Sequence, residues 1–165
     1  VSWLRRLQGD SEPAAAPEPA PADDDDSPEV LSALLAEQVR RLNRSSGQLP
    51  AAAVVQARRL TDTLGEVVET STVRPLDVYA VISVRSTLTD YLPTTVERYL
   101  AVPDDLRDRP RGGGSTPTQS LLEQLTDLQG SASSVLVAAR EQDADALMTQ
   151  GAFLRTKFSG SDLDL

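Results

Sequence analysis

From residue 28 onward, apolar residues recur at alternating intervals of four and three, the repeat that places side chains on one face of an α-helix. Leu31, Leu35, Gln38 and Leu42 form a first stripe, and Ala53, Ala57, Leu60, Leu64 and Val67 a second. A third segment, from Pro75, carries Val78, Tyr79, Val81, Ile82, Val84, Leu88, Tyr91 and Leu92 around much of its circumference. A helix that is apolar on several faces is usually enclosed, so this one is expected to be central. Pro93 removes a backbone donor and crowds the preceding turn, which predicts a kink near Leu92, with Val96, Tyr99 and Leu100 resuming the pattern. Leu121, Leu125, Leu128, Ala132, Val135, Ala139 and Ala146 then form a fourth stripe, with Leu147, Leu154 and Phe158 on a neighbouring one. They predict one long helix from Thr118 to about Phe158, bent or broken at Gly130 or Gly151.

The ends of these segments carry helix punctuation. Ser27 is a good N-cap with Pro28 at the first helical position, and Arg40, Arg41 and Arg44 suit the negative end of the helix dipole. The first helix should end near Ser46 and Gly47, the second should run from about Pro50 to Val73, and residues 103–117 should form a loop. Narrow stripes near a 3.5-residue period favour an all-α fold. The expectation is an antiparallel bundle of about four long helices with coiled-coil-like packing and a kink near Pro93. Aromatic residues make up 4% of the chain, so the core should be Leu, Val and Ala with close interhelical contacts.

The first 28 residues break this pattern. The opening VSWLRRLQ places Trp3, Leu4 and Leu7 near one side of a two-turn helix, with Arg5 and Arg6 beside them. Two turns are too few to hold in water, so residues 1–8 form a short amphipathic segment that orders against a membrane interface or a partner's groove. Residues 9–28, rich in Pro, Ala and acids, should form a disordered linker. Residues 29–158 are the helical domain, and 159–165 a loose tail.

Charge changes meaning once it is located. The formal net charge is −9, but Asp10, Glu12, Glu18, Asp23, Asp24, Asp25, Asp26 and Glu29 sit together with no base among them. Everything else is close to neutral. No basic groove is left to hold a phosphate backbone, so nucleic acid is not an expected partner. Fifteen Arg against one Lys, with abundant Ala, suggests a GC-rich bacterial genome. No apolar run reaches the roughly 18 residues of a membrane span and no signal-peptide core is present, so a cytoplasmic location is expected, with peripheral contact at the inner face of the membrane open.

The absence of Cys and His removes thiol nucleophiles, imidazole bases and the usual zinc, copper and haem ligands. Asp104, Asp105 and Asp108 in DDLRD match a magnesium-holding pattern but fall in a loop with no second metal motif. The Asp23–Asp26 run lacks the spaced geometry of a calcium site. Arg111 followed by GGGST resembles a phosphate-cradling loop, without the Gly-Lys-Ser/Thr and preceding strand of a P-loop. Glu123 with Asp127, and Glu141 with Asp145, share helix faces, yet a di-metal bundle site also needs Glu-x-x-His. Lys157 is the one candidate base for a Ser nucleophile, with no particular Ser tied to it. Tyr79, Tyr91 and Tyr99 read as packing residues. No catalytic residue, metal or cofactor is assigned.

The stretch ISVRSTLTDYLPTTVERYLAVP, residues 82–103, followed after a loop by LLEQLTDLQGSASSVLVAAREQDADALMTQGAFLRTKF, resembles the C-terminal part of the XpaC family. The similarity spans roughly residues 75–158 and rests on helix layout and the YLP…YL element. It implies a helical bacterial protein of the toxic-anion (tellurite-type) stress response, associated with proteins of the TelA type. The family's label, hydrolysis of bromo-chloroindolyl phosphate, implies phosphatase-like behaviour for which no nucleophile with a base is present. The expected function is therefore a non-enzymatic interaction or scaffold module. Its contacts would be a protein partner and, through Trp3, Leu4, Arg5, Arg6 and Leu7, an anionic membrane surface. The alternatives are a phosphohydrolase-like or carboxylate-metal-dependent enzyme, and a coiled coil that associates with itself as a homo-oligomer.

Overall fold

The computed structural model describes residues 26–112, 114–142 and 144–159, and every regular element among them is helical. The α-helices are α1 (Pro28–Ser45), α2 (Ala51–Thr70), α3 (Val78–Ser86), α4 (Leu92–Leu100), α5 (Pro117–Glu141) and α6 (Ala144–Ser159). A π turn over Thr87–Tyr91 fuses α3 to α4, and 3-10 turns occupy Ser46–Gln48 and Asp104–Leu106. The all-α class expected from the stripes is the class observed. None of the helices described is long and apolar enough to cross a membrane.

Local chemistry sets the helix starts. The Ser27 hydroxyl accepts a bond from the Val30 amide at 3.2 Å, with Pro28 behind it. The third helix starts three residues after Pro75, where Asp77 caps it by accepting from the Tyr79 amide at 2.8 Å. Thr116 and Gln119 close a reciprocal capping box at the start of α5. Asp26 and Ser27, which fall in the expected linker, are already tied to the fold, Asp26 through a 2.7 Å ion pair with Arg85 on α3.

Two expected irregularities take different forms. Pro93 cannot donate, and its ring would crowd the carbonyl four residues back. The chain relieves this by widening one turn earlier, where the Leu92 amide donates to the Thr87 carbonyl, and the helix continues as α4. The single long helix over 118–158 is instead two. Gln142 adopts the left-handed conformation (φ 59°, ψ 38°) and ends α5, while Gly130 and Gly151 lie inside uninterrupted helices. The shift of stripe is the reason. Leu147 and Leu154 are fully buried and Ala146 is exposed, so the chain must reverse before α6 to bring that second stripe onto the core.

Cross-helix contacts fix the directions. Arg58 bonds Asn43 and Leu35 packs on Gly65, so α1 and α2 run antiparallel. Ser131 with Gln150, and Asp127 with Lys157, make α5 and α6 antiparallel as well. The most extensive interface, between α2 and α5, joins parallel helices: Gln56 meets Thr126, Gln129 meets Thr63, and Arg140 meets Glu66. Helices consecutive in the chain alternate in direction, whereas α2 and α5, separated in the chain by the α3/α4 rod, point the same way. Leu60, Leu64 and Val67 of α2 and Leu125, Leu128 and Val135 of α5 lie in the core.

The α3/α4 rod packs against α1, α2, α5 and α6, as a central element does, but it is not enclosed along its whole length. Val81, Val84, Leu88, Tyr91 and Leu92 face the core, but Val78, Tyr79 and Ile82 face outward. The apolar residues around its circumference form one core stripe and one exposed stripe.

Candidate functional site

The structure separates the chemistry singled out in the sequence. Asp104 is drawn into an ion pair with Arg107 at 2.6 Å, and among the described residues no three Asp or Glu side chains converge as a metal-ligand group. Asp127 pairs with Lys157, so the candidate base is held by a carboxylate. Glu141 and Asp145 do not share a helix face, because the reversal at Gln142 puts them on different helices. Of the Asp23–Asp26 run, Asp26 alone is described. Trp3, Leu4, Arg5, Arg6 and Leu7 lie outside the described residues.

Tyr91 and Tyr99 are core residues, while Tyr79 stands at the edge, 37% exposed. The Tyr91 ring packs on Phe158 with centroids 5.3 Å apart, joining the π turn to the end of α6. Tyr99 is covered by the Arg107 guanidinium at 4.8 Å, and its hydroxyl is 3.3 Å from that of Thr118. Arg107, not marked by any sequence pattern, donates to the carbonyls of Val102, Leu100 and Gln48 at 3.0–3.3 Å. It bolts the α1–α2 turn to the exit of α4.

Concave surface gathers at this end of the molecule. A cleft of about 360 Å³ lies between α4 and the start of α5, lined by Arg98, Tyr99, Arg111 and Ser115. A neighbouring cleft of about 330 Å³ reaches Asp90, Lys157, Phe158 and Ser159. The two share Thr95, Arg98 and Gln124, and so form one groove. Arg111 of the GGGST motif therefore lines a real cleft, but the start of α5 beside it is already capped by Thr116. The groove offers guanidinium, ammonium, hydroxyl and amide groups and one carboxylate. It can bind an acidic group, and within it the Thr94 hydroxyl donates to the Asp90 carboxylate at 3.2 Å.

A second feature is a surface face. Val78, Tyr79 and Ile82 on α3 are 57%, 37% and 43% exposed, and Met148 on α6 is 48% exposed. The Gly151 backbone sits against Ser83, with Ser83 Oγ 3.7 Å from where a Cβ would stand, so α3 and α6 touch there. Tyr79 lies four residues before Ser83 and Met148 three before Gly151. Because the two helices run parallel, both residues sit one turn lower on the same seam. The sequence signal for this face was present as the surplus of apolar residues on the third segment.

On α1, Glu37 is bound by Arg40 through two contacts at 2.9 and 3.1 Å and by Arg44 at 3.2 Å. Its carboxyl is held below the ordinary glutamate range, first by the bond to Arg40 and then by that to Arg44. Comparison with protein-family models, with curated proteins and with solved structures finds no match to this chain.

Proposed function

We propose that the protein is a non-enzymatic interaction module that docks the amphipathic helix of a protein partner along the α3/α6 seam. The observation that carries this reading is the exposed apolar line of Tyr79, Ile82 and Met148, large side chains left in water on two adjoining helices. A partner helix laid along such a seam buries apolar anchors spaced three and four apart. Residues 1–8 add a second contact, in which Trp3, Leu4 and Leu7 supply apolar surface and Arg5 and Arg6 meet anionic lipid or an acidic protein surface. Joined by a tether, two weak contacts reinforce each other through effective concentration. Coiled-coil-like packing within the bundle belongs to the same proposal and is supported by the narrow Leu and Ala stripes. A role in a toxic-anion stress response, at the inner face of the membrane, rests on the XpaC resemblance alone.

The test places charge on the seam. The double variant Ile82→Asp, Met148→Asp should lose the partner retained by the parent chain while its melting temperature stays within a few degrees, since both side chains are solvated. Retention of the partner by a folded double variant would refute the proposed seam.

A further inference from the structure

The groove between α4 and α5 carries an inference independent of the α3/α6 seam. Its mouth includes Ser159, the last residue of α6. The chain therefore leaves α6 from the wall of the groove, and the next six residues read Gly160, Ser161, Asp162, Leu163, Asp164 and Leu165. Fully extended, six residues reach about 20 Å. That is the scale of two adjoining clefts of some 300–400 Å³ each.

The chemistry of the two is complementary. Arg98, Arg111 and Lys157 line the groove against the single carboxylate of Asp90. Residues 160–165 carry two acids and no base. Arg98 and Lys157 already have neighbours, Lys157 in its pair with Asp127, so the attraction is that of a basic surface and not of one unpaired cation. Acidic and apolar residues alternate in 162–165. In an extended strand, a period of two puts Asp162 and Asp164 on one side and Leu163 and Leu165 on the other. The groove has the matching division: guanidinium groups of Arg98 and Arg111, and apolar walls from Leu121, Tyr91 and Phe158.

We propose that the α4/α5 groove is the docking site for this chain's own residues 160–165, bound extended with Asp162 and Asp164 toward Arg98 and Arg111. The tether makes the contact intramolecular. A weak site then stays filled because a short flexible connection supplies an effective concentration on the order of millimolar.

The experiment uses the full chain, isotope-labelled, and the double variant Asp162→Lys, Asp164→Lys, which disables the segment without touching the fold. A synthetic peptide of sequence SGSDLDL is titrated into each, and amide shifts of Thr95, Arg98 and Gln124 are followed. The expected result is binding to the variant that is about ten-fold tighter than to the parent chain, where the site is already filled. That binding should weaken with added salt and be lost on adding Arg98→Glu and Arg111→Glu, two exposed positions. Equal affinity for parent and variant would show a groove open to acidic segments of other proteins, and would overturn the proposal. So would failure of the peptide to shift these amides in the variant.

Discussion

Arg107 shows how much one side chain can organise. Its side chain is 13% exposed, three backbone carbonyls accept from it, and it lies over Tyr99. Removing it leaves those acceptors without their charged donor and uncovers the ring. Arg107→Ala should destabilise the protein by about 2 kcal/mol, read from urea unfolding midpoints. Loss below a few tenths would mean that water replaces it. Glu37 is a contrasting, solvent-exposed case. A carboxyl whose folded value is lowered contributes stability above the unfolded value, and that contribution fades as pH falls through the lowered one. Carbon-detected titration should place the Glu37 midpoint below that of an ordinary glutamate. Arg40→Gln should raise it more than Arg44→Gln, because Arg40 makes two of the three contacts.

At the scale of elements, helix existence was legible and helix termination less so. Ala53, Ala57, Leu60, Leu64 and Val67 are all buried, as their spacing requires, and Ser27–Pro28 starts α1 by the expected cap. The break after α5 falls at Gln142 and not at either glycine, although glycine is the weaker helix former. Gly130 in fact has no neighbour within 4 Å of a would-be Cβ, and α5 passes through it undisturbed. The chain turns at Gln142, a residue with no special liking for positive φ, because tertiary packing of Leu147 and Leu154 demands reversal there. That strain is a prediction: Gln142→Gly should stabilise the protein by about 0.5–1 kcal/mol, since glycine occupies the left-handed C-cap without a Cβ penalty. Thermal unfolding showing no gain, or a loss, would contradict the strain. The Pro93 effect was legible in place but not in kind. Sequence rules locate the missing donor, while the choice of a π turn over a break depends on what the following helix must bury.

For the whole molecule, the parallel packing of α2 against α5 was out of reach of periodicity, which marks a face and says nothing of its partner. Hydrogen bonds such as Gln129 to Thr63 identify it, and the α3/α4 rod packs against α1, α2, α5 and α6 with part of α3 left outside. The surplus apolar residues of α3 then face water and become the most direct pointer to function. The groove was equally hidden, because Arg98, Gln124 and Lys157 come from three helices that no motif connects. Arg111 and Ser115, of the RGGGST stretch, lay in a pattern recognisable beforehand as a binding loop. The proposed docking depends on the α3/α6 seam. The most direct measurement places a photoreactive amino acid in turn at 82, at 148 and, as an exposed control on α2, at 55, and compares adducts formed in cells. Docking along the seam should give one shared adduct with a second protein from 82 and 148 and none from 55. Adducts with the chain itself only, equal yields at all three positions, or no adduct at 82 and 148 would contradict it.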